Sequence, residues 1–247
     1  MMTPEFPREM PNYSHGTAGI CDFLLSLDAR LIKKSETQTV TNYDGRFANA
    51  AVAGANYLTS IAEDGSCQIL HHKNLAPDAA NEDPLFYLGW CHGPAGTGRL
   101  FLNLSERFPL QKEWRHFAEQ GGEFLMSSGI PNAQLPGFWN NVGVCCGSSG
   151  VGSYVLELYK ATGNPKLKEF AIRLAMDTVE RGKKHELSGN VLGLSWTHAE
   201  HRVRPEFVHA QTGVMQGAAG IGLWFLKLHA TLNDQDFDLG MPLHPLD

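Results

Sequence analysis

An all-α fold is what this chain of 247 residues predicts, on three observations. Apolar side chains recur at i, i+3, i+4 and i+7, as at Val151, Tyr154, Val155 and Leu158. Convincing strand-like alternation is scarce. A small-residue turn also recurs before apolar helical stretches: SHGTAGI (14–20), CHGPAGTG (91–98), CCGSSGVG (145–152) and MQGAAGIG (215–222). Aligned on Gly16, Gly93, Gly147 and Gly217, these turns are spaced by 77, 54 and 70 residues. Each interval has room for one or two helix pairs, as in an array whose units each contribute an equivalent inner helix.

Taken in order, residues 20–27 form the helix behind the first turn and 47–61 a second helix. Residues 67–70 read as a short extended piece. Helices follow at 100–104, behind the second turn, and at 114–125. The best-marked pair comes next. Gly163-Asn164-Pro165 breaks the helix that starts at Val151, and the helical period resumes through Leu167, Phe170, Ala171, Leu174, Ala175, Thr178 and Val179. The two form an αα-hairpin. Residues 191–196 read as a second extended piece, and 221–228 as the helix behind the fourth turn.

Apolar residues make up 43% and charged residues 19%, which is globular rather than disordered. A net charge of −6 argues against a nucleic-acid surface. Lys33-Lys34 and Lys183-Lys184 read as solvated helix ends. The opening MMTPEFPREMPNYSHG lacks the apolar core of a signal peptide, and no run of apolar residues is long enough to be transmembrane. Five cysteines are few and odd in number, which suits a reducing, cytoplasmic setting and thiols used for metal or catalysis.

The recurring turn has a physical logic. Its glycines let the chain turn sharply and let helices approach closely. The residues before the first glycine stand at a helix N-terminus, where unpaired amides and the helix dipole lower a thiol pKa. Repeated around an array, such positions converge on one mouth. Cys91, Cys145 and Cys146 stand at these turns, with His15 and His92 at equivalent ones. Three thiols spaced this way do not make a zinc finger. They can make a three-ligand zinc site with an open fourth position, although the same spacing also suits small buried hydrophobes. Cys21 and Cys67 read as buried.

The segments GWCHGPAG, CCGSSGVG, SHGTAGI and TGVMQGAAGIG, spanning residues 13–225, resemble the lanthionine synthetase C-like (LanC-like) family. The resemblance implies an α/α toroid with catalytic Zn²⁺ at one end of its cavity, in a single domain over residues 1–247. Cys91 and Cys145 match the two zinc cysteines, Cys146 takes the place of the usual histidine ligand, and His15 matches a histidine implicated in proton transfer. His92, where the family tolerates tyrosine, implies a supporting role beside the metal. Tyr87 stands where some members carry an arginine near the substrate.

The implied reaction is addition of a cysteine thiol to dehydroalanine or dehydrobutyrine, as in lantibiotic biosynthesis. The partners would be a dehydrated precursor peptide or a small thiol such as glutathione, and a dehydratase. Two departures stand out. Three thiolates make the zinc site about one charge more negative than two thiolates and an imidazole, so a bound substrate thiolate is less acidified and more electron-rich. The chain also reads as four or five helix pairs against the family's usual seven, an incomplete toroid without the N-terminal repeats that hold a further catalytic aspartate.

A protein that binds zinc and glutathione or peptide without cyclising it is the alternative, and a metal-free carbohydrate-active α/α barrel a third. Other conspicuous residues read blandly. His71-His72 and His198, Glu200 and His201 suit exposed loops, Trp90, Trp139, Trp196 and Trp224 suit the core, and Glu82-Asp83 a solvated turn before Pro84.

Overall fold

The computed structural model describes residues 8–36, 44–63, 66–74, 84–189, 191–235 and 237, so Glu82 and Asp83 lie outside the described residues. Its helices are α1 (Thr17–Glu36), α2 (Arg46–Ile61), α3 (Pro94–Arg107), α4 (Lys112–Ser127), α5 (Ser148–Thr162), α6 (Pro165–Glu180) and α7 (Ala218–Leu232). Short strands accompany them: β1 (Arg8–Glu9) pairs with β2 (Lys73–Asn74), β3 (Lys183–Leu187) with β4 (Val191–Ser195), and β5 (Thr197–Ala199) with β6 (Val208–Ala210), all antiparallel.

Burial sorts the helices into two layers. In α3, 11 of 14 residues are buried, from Pro94 to Ser105, and in α5 10 of 15. Helices apolar or small on every side must lie inside. By contrast α6 buries a single stripe of six residues, Leu167, Phe170, Ala171, Leu174, Ala175 and Thr178, and α4 a similar stripe through Trp114, Phe117, Ala118 and Leu125. α1–α2, α3–α4 and α5–α6 form hairpins, and the inner members pack in the order α1, α3, α5, α7. This is the α/α toroid arrangement. The edges of the inner row expose Ile20 and Phe23 on α1 and Leu226 on α7.

Local chemistry fixes the hairpins. Gly163, with φ 71°, ends α5 in the left-handed conformation, and the Asn164 side chain accepts the Lys166 amide to start α6 at Pro165. Between inner helices a small residue on one meets a ring on the next. A Cβ on Gly98 would lie 2.2 Å from Tyr154 Oη, and one on Gly152 2.3 Å from the Trp224 indole. Both glycines stand five residues after their turn glycine, and both rings seven residues after theirs. Buried Tyr154 donates its hydroxyl to Ala118 O at 2.8 Å, tying the inner row to α4.

Several expectations need correction. The described residues hold three hairpins and the further inner helix α7, not four or five pairs. Residues 67–70 form no strand, although Cys67 and Ile69 are buried. Helix α3 begins at Pro94 rather than at 100, because its first turn is built of small residues that register no apolar period. Lys183-Lys184 lie on β3 rather than at a helix end. The β3–β4 hairpin includes the extended piece expected at 191–196, whereas β5–β6 had no counterpart in the sequence reading. Cys21 and Cys67 are buried, and Trp139, Trp196 and Trp224 belong to the interior.

Candidate metal centre

Each inner helix is entered through the same five-residue turn, at 12–16, 89–93, 143–147 and 213–217. Gly93, Gly147 and Gly217 cap α3, α5 and α7 in extended backbone, and the turns close through Gly93 N to Gly89 O (2.9 Å) and Gly147 N to Gly143 O (3.1 Å). Neighbouring turns are then joined by one repeated bond. Ser14 N donates to Cys91 O (2.8 Å), Cys91 N to Cys145 O (2.9 Å) and Cys145 N to Met215 O (2.8 Å). All four residues stand two places before their turn glycine. The bonds form a continuous backbone rim at the N-terminal end of the inner row.

That rim gathers the thiols. Cys91 Sγ is 3.2 Å from Cys146 Sγ, Cys146 Sγ is 3.6 Å from Cys145 Sγ, and all three lie within 4.8 Å of one another. Three sulfurs each about 2.3 Å from a tetrahedral Zn²⁺ stand about 3.8 Å apart, so the cluster fits that ion. Cys91 is buried, while Cys145 and Cys146 are partly exposed, which leaves the cluster open on one side. Gly89 makes the approach possible, since a Cβ there would lie 2.8 Å from Cys146 Cα.

As thiols the three share protons unequally. Hydrogen bonds from Cys146 and then Cys91, helped by the nearby His15 charge, hold Cys145 down to about 4 against the opposing effect of burial. Cys91 is pushed far above the ordinary thiol range, first by hydrogen bonding to Cys145, then by that to Cys146 and by burial. Cys146 is raised as well, chiefly by its bond to Cys145. Cys145 is thus the most acidic of the three thiols, and a divalent ion binding the cluster would displace the remaining protons.

Rings line one side of the mouth. His15 is exposed, its Nδ1 2.9 Å from Ser14 Oγ, and its ring centroid lies 5.1 Å from that of His92. His92 is buried, its ring lies 4.2 Å from that of His71 at a tilt of 47°, and its Nδ1 has no hydrogen-bond partner among the described residues. His71 lies 4.5 Å from Tyr87, which in turn lies 5.4 Å from Trp139. Burial first, then the neighbouring histidines, depresses His92 to about 3; burial and then His72 depress His71 to about 4. Burial raises the Tyr87 pKa, while the nearby Arg202 guanidinium works the other way.

The cysteines and His15, His92 and Tyr87 thus come together. His71 and Arg202 join them unannounced. The pair His71-His72 is not an exposed loop, because Asn12 Nδ2 donates to Leu70 O (2.7 Å) and His71 N to Leu85 O (2.7 Å), turning His71 inward. Arg202 follows the β5 strand, which is docked where Trp139 Nε1 donates to Ala199 O (2.8 Å) and Ala199 N to Asn140 O (2.8 Å). His198 is fully buried on β5, against the exposed-loop reading, whereas Glu200 and His201 are exposed. No turn motif marks His71 or Arg202, so pattern alone could not single them out.

The chain is 30% identical over 95 residues to LanC-like protein GCL1 of Arabidopsis thaliana, a match covering 37% of the chain and 20% of that protein. Among solved structures, nisin cyclase aligns over 94% of the chain and 47% of its own length, with a TM-score of 0.49 and 14% identity. The chain therefore spans about half the length of nisin cyclase. A family model described as "Lanthionine synthetase C-like protein" matches residues 8–239. The chain belongs to the lanthionine synthetase C-like family.

Proposed function

We propose that this chain catalyses zinc-dependent addition of a cysteine thiol to a dehydroalanine or dehydrobutyrine, forming a thioether in a modified peptide. The observation that carries the reading is the Cys91, Cys145 and Cys146 cluster, three sulfurs within 4.8 Å, open on one side and held on a backbone rim. Cys91, Cys145 and Cys146 would hold Zn²⁺ through their sulfurs. When bound, the ion supplies the acidity that keeps a substrate thiol ionised near neutral pH.

The chain's own side chains serve the rest of the chemistry. The sulfur electron pair forms the C–S bond at the β-carbon of the dehydroamino acid, and the α-carbon then takes a proton. His15, solvent-accessible at the rim with Nδ1 2.9 Å from Ser14 Oγ, delivers it in this reading. His92 and His71, held neutral, keep cationic charge away from the thiols and give the mouth an uncharged wall. Tyr87 and Arg202, at the same mouth, contact the peptide backbone in this reading. A peptide from a dehydratase is the substrate in this reading, and the cytoplasm supplies reduced thiols.

Zinc-loaded protein incubated with a dehydrated, cysteine-containing peptide tests it by mass spectrometry. Cyclisation leaves the mass unchanged and removes one alkylatable thiol per ring. A mass gain equal to added glutathione instead points to intermolecular thiol transfer. Binding with neither change overturns the enzymatic reading in favour of a zinc-bearing binding protein.

A further inference from the structure

Away from the thiol rim, α3 and α5 enclose a cleft of about 410 Å³. Its lining includes Arg99, Leu102, Asn103, Glu106, Glu157 and Lys160. With a rise of about 1.5 Å per residue, Arg99 lies about 8 Å and Glu106 about 18 Å along α3 from Pro94. The cleft therefore opens toward the other end of the inner row from the cysteines.

Its floor carries a buried charge that the protein leaves short of acceptors. Arg99 is 1% exposed, and its Nε and Nη2 have no hydrogen-bond partner among the described residues. Its Nη1 is 3.1 Å from Glu157 Oε1, an ion pair without hydrogen-bond alignment. The same Glu157 carboxylate also receives the Lys227 ammonium, which lies 3.0 Å from Ser153 Oγ, so one carboxylate serves two cations. Asp22, the other buried carboxylate nearby, accepts from Tyr13 and from Asn103 Nδ2 (2.6 Å). A buried guanidinium with unused donors costs free energy unless an acceptor fills the fork.

We propose that this cleft binds a short zwitterionic peptide, its carboxylate seated on Arg99 and its ammonium at Glu106. The guanidinium fork matches a carboxylate bidentately, and Lys160 on the α5 side of the lining adds a second positive charge to the cleft. Glu106, seven residues beyond Arg99 on α3, answers a cation, and Leu102 with Ala161 adds apolar lining. Glu106 and Glu157 oppose a phosphate dianion, which favours a ligand bearing both signs. The volume falls within the range of about 300–1,000 Å³ of small-ligand sites. The inference stands apart from the thiol chemistry at the rim.

Calorimetric titration of the whole chain with the dipeptide alanyl-leucine, its C-terminal amide and its N-acetyl form tests it. The amide is expected to bind at least about tenfold more weakly than the dipeptide, the worth of one lost charge-assisted pair. Arg99→Gln should abolish the difference. Because Arg99 is buried and its variant can misfold, the exposed Glu106→Gln is the second test: it should weaken the dipeptide and leave the N-acetyl form unchanged, with zinc content unaltered. No binding of alanyl-leucine by folded wild-type protein at millimolar concentration overturns the proposal. Equal affinity for dipeptide and amide, or a silent Glu106→Gln, overturns it equally.

Discussion

The amide of Cys91 donates to the carbonyl of Cys145 across 2.9 Å, although 54 residues separate them. This bond is one of three identical ones that join the turns before α1, α3, α5 and α7. It sets how far apart the Cys91 and Cys146 sulfurs stand, because each thiol lies on or next to a residue whose backbone the rim fixes. The clustering of the three thiols is thus a consequence of the repeat.

Purified protein should contain about one zinc per chain by elemental mass spectrometry, and Cys145→Ala/Cys146→Ala should contain almost none. The wild type should also melt at a higher temperature with zinc than after chelation, since a ligand that binds only the folded state stabilises it. Zinc-free, folded wild-type protein would falsify the metal assignment.

Gly89 lies two residues before Cys91 and touches the Cys146 backbone. In Gly89→Ala the new methyl must move Cys146, because its Cβ would lie 2.8 Å from Cys146 Cα. Overpacking of this kind costs about 1–3 kcal/mol. Zinc affinity should fall with it, as read by competition with a chromogenic chelator. Unchanged affinity and melting temperature would mean that the two turns yield independently of each other.

His15→Ala should retain zinc and lower turnover by about 10²–10⁴-fold, the usual worth of a positioned general acid. A loss of zinc together with activity would assign His15 to holding the site together rather than to proton delivery. Turnover at the wild-type rate removes it from the mechanism.

Replacing the third thiol would change the charge that a zinc ion bound at the cluster carries. Cys146→His should alter the rate or the ring pattern on a multi-ring peptide in direct competition with the wild type, because the substrate thiolate becomes less electron-rich. Identical products at identical rates would show that ligand charge does not govern attack here.

The depressed His71 pKa makes a statement about acid stability. The folded state holds His71 near 4, below its ordinary value of 6.5, so protonation favours unfolding. The contribution is fully present above about pH 6.5 and is lost as pH falls toward 4. His71→Phe keeps the ring contacts with Tyr87 and His92 but cannot protonate, so its acid-unfolding midpoint should move to lower pH. An unmoved midpoint, followed by circular dichroism, would show that His71 does not couple to acid unfolding.

Much of this molecule is determined by local chemistry that a sequence displays. The period through Leu167, Phe170 and Leu174 makes α6 one-sided and hence outer, and Gly163-Asn164-Pro165 turns the chain between helices. The repeated turns marked Cys91, Cys145, Cys146 and His15 because close backbone approach at a helix N-terminus requires the glycines that follow them.

What tertiary structure alone decided is which distant surfaces meet. His71 comes from a segment outside the repeat and reaches His92 only because Asn12 holds Leu70 O, 58 residues away. Arg202 reaches Tyr87 through a hairpin docked on Trp139, and the floor of the α3–α5 cleft gathers Arg99, Glu157 and Lys227 from three helices. Periodicity reports which face of an element is buried. Only the packing of the inner row reports what that face is buried against.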